Sequence, residues 1–91
     1  MDAFNLNADK VRKVMEEIGW MGIFWKNVRI CIQKRSVPDR GEYVLQIYSI
    51  GPVPISVDQQ AGFPRYFFDL NNLIAELRAW LEKREASCAQ G

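Results

Sequence analysis

The side chains that could do chemistry in this chain are few and scattered. Of its 91 residues none is histidine, which removes the commonest general base and the commonest nitrogen ligand for metals. The two cysteines, Cys31 and Cys88, fall short of a four-ligand structural zinc site. One lies in a strand pattern and the other in a polar tail, a poor disulfide framework. A reactive thiol at Cys31 would need an electropositive pocket. Arg29 nearby is the one pointer to such a pocket, and an inert, half-buried cysteine is the plainer reading. Glu16 and Glu17 are adjacent on a helical pattern and point in different directions. Asp58 and Asp69 would meet only through folding, and Asp69 is better placed as a helix cap. Gly19-Trp20-Met21-Gly22 has neither the spacing nor the lysine of a phosphate-binding loop. No Ser or Cys nucleophile has a recognisable base. The expectation is a non-enzymatic protein with no cofactor and no metal.

Composition narrows the partner. Hydrophobic residues make up 48% of the chain and charged residues 25%, enough apolar material for a core and for an interface as well. A net charge of +1 is too small to imply a nucleic acid or a membrane. The charge is uneven, however: residues 19–65 sum to +3, and the segments on either side sum to −1 each. Met1 to Asn7 shows no charged, apolar leader pattern, and no apolar run approaches the roughly 20 residues that span a bilayer. A reducing, cytoplasmic setting is expected, with no membrane partner. A small domain lacking a catalytic set also suits a mobile-element or phage accessory protein. One domain over residues 1–91 is expected, with 1–6 and 86–91 as flexible ends.

The periodicity of apolar residues supplies the elements that position these groups. Val11, Val14, Met15 and Ile18 recur on one helical face. Asn7 is a suitable N-cap, Leu6 with Val11 forms a hydrophobic staple, and Gly19 ends the helix. The apolar stretch Gly19 to Trp25 reads as a connector that tucks aromatics under a sheet, or else as an exposed aromatic patch. Val28, Ile30 and Ile32 alternate with Arg29, Cys31 and Gln33, which predicts a strand over about Lys26 to Lys34. The turn chemistry of Val37-Pro38-Asp39-Arg40-Gly41 leads into a second strand over about Glu42 to Ile50, and the two form an antiparallel hairpin. Gly51 to Pro64 is a proline-punctuated loop in which Val53 to Val57 could make an edge strand. Arg65 to Phe68 predicts a further strand. Asp69 then caps a helix over about Leu70 to Glu85, with Phe68 and Leu73 as a second staple and Leu70, Leu73, Ile74, Leu77 and Leu81 as its buried stripe.

Together these elements predict an α+β two-layer sandwich of order α-β-β-(β)-β-α. Its sheet is antiparallel, with three or four strands and both helices on one face. Val28, Ile30, Ile32, Leu45 and Ile47 face the helices, and Tyr66 and Phe68 join them if the Phe68 staple forms. With Ile32 opposite Leu45, Arg29 falls opposite Tyr48 and Cys31 opposite Gln46. The other face then collects Trp25, Arg29, Cys31, Gln33, Val44, Gln46, Tyr48 and Phe67. Several aromatics of about 150–250 Å² each would leave a patch that monomers seldom expose. A homodimer contact, another protein, or the 51–64 loop itself would cover it, and self-association is the expected reading.

The order helix, strands, helix resembles the double-stranded RNA-binding domain in topology and size. That family grips phosphates with lysines at the start of its second helix. Here that helix begins Leu70-Asn71-Asn72-Leu73, so the resemblance covers element order alone. The alternative function is therefore a nucleic-acid module of another kind. It would use Lys26, Lys34, Arg35 and Arg40 around the hairpin, together with the sheet aromatics, to hold a single strand by charge and stacking.

Overall fold

A computed structural model describes residues 5–25, 28–37, 39–49 and 63–90. The chain runs α1 (Ala8–Glu17), β1 (Trp20–Trp25), β2 (Val28–Lys34), β3 (Tyr43–Ser49), β4 (Arg65–Phe67) and α2 (Leu70–Gln90). The strands form one antiparallel sheet in the order β1-β2-β3-β4. The α+β sandwich expected from the periodicity is the fold observed.

The helices start where side chains can satisfy their first free N–H groups. Asn7 Oδ1 accepts from Lys10 N–H at 2.9 Å, and Asp69 Oδ1 accepts from Asn71 N–H at 2.9 Å. At the far end of α1 the Ile18 and Gly19 N–H groups both donate to Val14 O. Gly19 has φ +98°, a backbone that favours glycine. Because the helix stops there, Ile18 is exposed and does not continue the apolar face. Leu6 and Val11 are both buried, as the staple requires, so residue 6 belongs to the core rather than to a loose end. Helix α2 runs on to Gln90, past the tail expected from Ala86. No glycine or proline interrupts it before Gly91.

The core lies between the helices and one face of the sheet. Val28, Ile30, Ile32, Leu45 and Ile47 meet the stripe Leu70, Leu73, Ile74, Leu77 and Leu81 and the α1 residues Val11 and Met15. The β2–β3 register matches the expected one: Ile32 opposes Leu45, Arg29 opposes Tyr48, and Cys31 opposes Gln46.

The described sheet holds one strand that was not expected from sequence. Val53 to Val57 lies outside the described residues. Trp20 to Trp25, expected as a connector, is the edge strand of the described sheet, paired along its whole length with β2. Both of its faces carry large apolar residues, so no polar alternation marks it as a strand. With four strands, the element order also departs from that of the double-stranded RNA-binding domain.

Two side chains change faces as a result. The chain reverses between β1 and β2, which resets the alternation, and Trp25 comes to lie opposite Val28 on the helix side. There its ring meets Trp80 edge-on, with centroids 6.5 Å apart. Phe67 lies opposite Tyr43 and packs against the core. Phe68, one residue on, is then turned away and exposed, so the second staple does not form.

Candidate interaction surface

The face of the sheet opposite the helices is built by the alternate residues of each strand. Strand β1 contributes Trp20, Gly22 and Phe24. Strand β2 contributes Arg29, Cys31 and Gln33, β3 contributes Val44, Gln46 and Tyr48, and β4 contributes Tyr66. Cross-strand pairing arranges them in rows. Phe24, Arg29 and Tyr48 form one row, and Gly22, Cys31 and Gln46 the next. Trp20, Gln33, Val44 and Tyr66 form the third. Trp20 is 54%, Phe24 69% and Tyr48 48% exposed, and among the described residues no element lies over them.

Of the residues expected on this face, Arg29, Cys31, Gln33, Val44, Gln46 and Tyr48 are there. Trp25 and Phe67 are not, because both pack on the helix side. Phe63, from the segment considered as a cover, also lies on the helix side, edge-on to Trp80 with centroids 6.3 Å apart. Residues 51–62 of that segment are outside the described residues. Trp20, Gly22, Phe24 and Tyr66 were not expected on this face. The available signal for the first three was the β-forming composition of Trp-Met-Gly-Ile-Phe-Trp itself.

The middle row is low because its residues are small or folded back. Gln46 Oε1 accepts from the adjacent Ile47 N–H at 3.0 Å. Gly22 has no side chain, and Arg29 uses that gap. Its Nε lies 3.4 Å from where a Cβ on residue 22 would sit, and the Trp20 ring is 3.8 Å from the same point. The Arg29 guanidinium carbon stands 6.0 Å from the Phe24 ring centre, within cation–π range. Trp20, Arg29, Cys31, Gln33 and Tyr48 thus rim an open depression of about 530 Å³. Cys31 is half-buried in its floor and pairs with no other cysteine among the described residues.

The hairpin end is differently organised. Arg35 bridges to Asp39 at 2.8 Å, and its Nη1 donates to Gly41 O at 3.4 Å. Its guanidinium carbon also stacks 4.5 Å from the Tyr66 ring centre. The hydrogen bond from Arg35 holds the Asp39 carboxyl below its ordinary value, although the side chain is in solvent. Arg40 flanks the same ring at 5.9 Å. Lys34 is exposed at the end of β2, and Lys26 lies outside the described residues. Of the basic set expected to hold phosphate, Arg35 is therefore already engaged by a carboxylate, a carbonyl and a ring.

Among the described residues no three Cys, Asp or Glu side chains converge on a point that could hold a metal. No helix in them is long and apolar enough to cross a membrane. No protein-family model, curated protein or solved structure matches the chain.

Proposed function

We propose that this chain is a small, non-enzymatic interaction module whose partner is a second copy of itself, with the outer sheet face as the contact surface. One observation carries the reading: Trp20, Phe24 and Tyr48 stand exposed together around Arg29. Aromatic residues and arginine are the types enriched in protein interfaces. Contiguous apolar surface of this kind mostly marks an association site. A reducing, cytoplasmic setting belongs to the same reading.

Sedimentation velocity across a concentration series tests it. The expected result is a monomer–dimer equilibrium that Phe24→Ser weakens by at least about tenfold, since truncating an aromatic anchor costs more than about 1–2 kcal/mol. A strict monomer over the whole series would sink the proposal. The nucleic-acid alternative has less support, because Arg35 is engaged within the fold. It would be revived by oligonucleotide binding that falls steeply with salt and with loss of Lys34 and Arg40.

A further inference from the structure

Among the described residues strand β1 has a partner on one side only, and the ladder shows which of its main-chain groups face the other side. Lys34 N–H donates to Gly19 O at 2.8 Å, while Trp20 lies opposite Gln33. A bond joining the residue before one member of a pair to the residue after the other brackets a non-hydrogen-bonded pair. Trp20, Gly22 and Phe24 are therefore the non-bonded positions of the β1–β2 ladder. Their N–H and C=O groups point away from β2, along the edge.

Natural edges of this length are usually blunted by charge, proline or a bulge. None of these occurs in Trp20–Trp25. Its sequence is instead balanced about its centre: aromatic Trp20, aliphatic Met21, Gly22, aliphatic Ile23, aromatic Phe24. An isologous contact requires that residue i meet residue j while j meets i, and this order meets that condition about Gly22.

We infer that two copies join edge to edge, β1 antiparallel to β1 about a two-fold axis at Gly22, making one continuous eight-stranded sheet. This rests on the self-association reading above but moves the contact from across the outer face to the β1 edge of it, where Trp20 and Phe24 stand. Trp20 then pairs with Phe24 of the second copy, and Gly22 with its own counterpart. All of these are edge-facing positions, so the three residue pairs exchange roughly six main-chain hydrogen bonds. The alternation agrees as well. Trp20 and Phe24 meet on the outer face, where they are exposed, and Met21 meets Ile23 on the helix side. The axis brings together the two Arg29 guanidinium groups that lie over Gly22. Salt screens that repulsion, so association tightens as ionic strength rises, opposite in sign to nucleic-acid binding.

Amide hydrogen exchange on the unaltered protein, read by NMR above and below the dissociation midpoint, tests the geometry. The Trp20, Gly22 and Phe24 amides should gain at least about tenfold protection on dimerisation. Gly22→Pro removes an N–H that β2 does not use, a substitution edge strands tolerate. It should leave the circular dichroism spectrum intact and abolish the dimer. A dimer that Phe24→Ser weakens, but in which those three amides exchange equally fast at every concentration, would overturn the edge geometry and leave a face-to-face contact. A protein that stays monomeric to about 200 μM, near the weak end of specific association, would overturn both.

Discussion

Neighbouring aromatics on β1 should fail in opposite ways when truncated. Trp25 faces the helices, edge-on to Trp80 at 6.5 Å, and is partly buried against the core. Phe24 faces outward, 69% exposed. Removing a fully buried Trp or Phe side chain costs about 3–5 kcal/mol, and an aromatic pair adds about 0.5–1.5 kcal/mol beyond area. Partial exposure of Trp25 reduces the first figure, so Trp25→Ala should destabilise the fold by about 2–3 kcal/mol. For a domain of this size each kcal/mol moves the melting temperature by about 4–8 °C, so the expected fall is about 10–20 °C. Phe24→Ala should move it by no more than about 2–4 °C, within the ±0.5 kcal/mol usual for surface changes, while weakening self-association. Thermal melts by circular dichroism at a concentration where the protein is monomeric, paired with sedimentation, separate the two effects. If Trp25→Ala spared stability and Phe24→Ala lowered it, β1 would be slipped by one residue, because such a slip exchanges every side chain between faces.

Four other perturbations follow from contacts in the structure. A Cβ at Gly41 would lie 2.6–2.8 Å from the N, C and O atoms of Phe67. Gly41→Ala should therefore push β4 from its seat and cost about 1–3 kcal/mol in urea denaturation. Arg78 Nη2 donates to Leu6 O at 2.8 Å, tying α2 to the start of α1. Arg78→Met should cost about 1 kcal/mol and speed amide exchange in the first turn of α1. Two groups give the stability curve pH limbs. The Asp39 pKa is lowered from 3.8 by its hydrogen bond with Arg35, so its contribution is present above that value and lost as pH falls through the folded-state value. Asp39→Asn should remove that part of the acid limb. The Tyr43 pKa is raised from 10.0 by burial, with Glu42 adding to the shift. Its contribution is present below pH 10.0 and lost as pH rises through the folded-state value, a limb that Tyr43→Phe should lack.

The elements legible in the sequence were those with one apolar and one polar side. The α2 stripe and the alternation that sets Ile32 against Leu45 express that contrast, so spacing alone located them, and the Asn7 and Asp69 caps were legible from their side-chain acceptors. The candidate surface was half legible for the same reason. Arg29, Cys31, Val44, Gln46 and Tyr48 lie in strands with a recognisable inner face, so their outward direction followed. Trp20 to Trp25 is apolar on both sides, and periodicity cannot orient a segment without contrast. Only pairing with β2 made it a strand, sent Trp25 inward against Trp80, and brought Trp20 and Phe24 out beside Arg29. Phe67 and Phe68 were a similar ambiguity of adjacent, alike residues, decided by the register of β4 on Tyr43. The sequence by itself thus determined the helices, their caps and the central hairpin, because local periodicity carries that information. Which aromatics face outward, and that β1 is the edge of the described sheet, depended on contacts between segments far apart in the chain, which only the tertiary structure supplies.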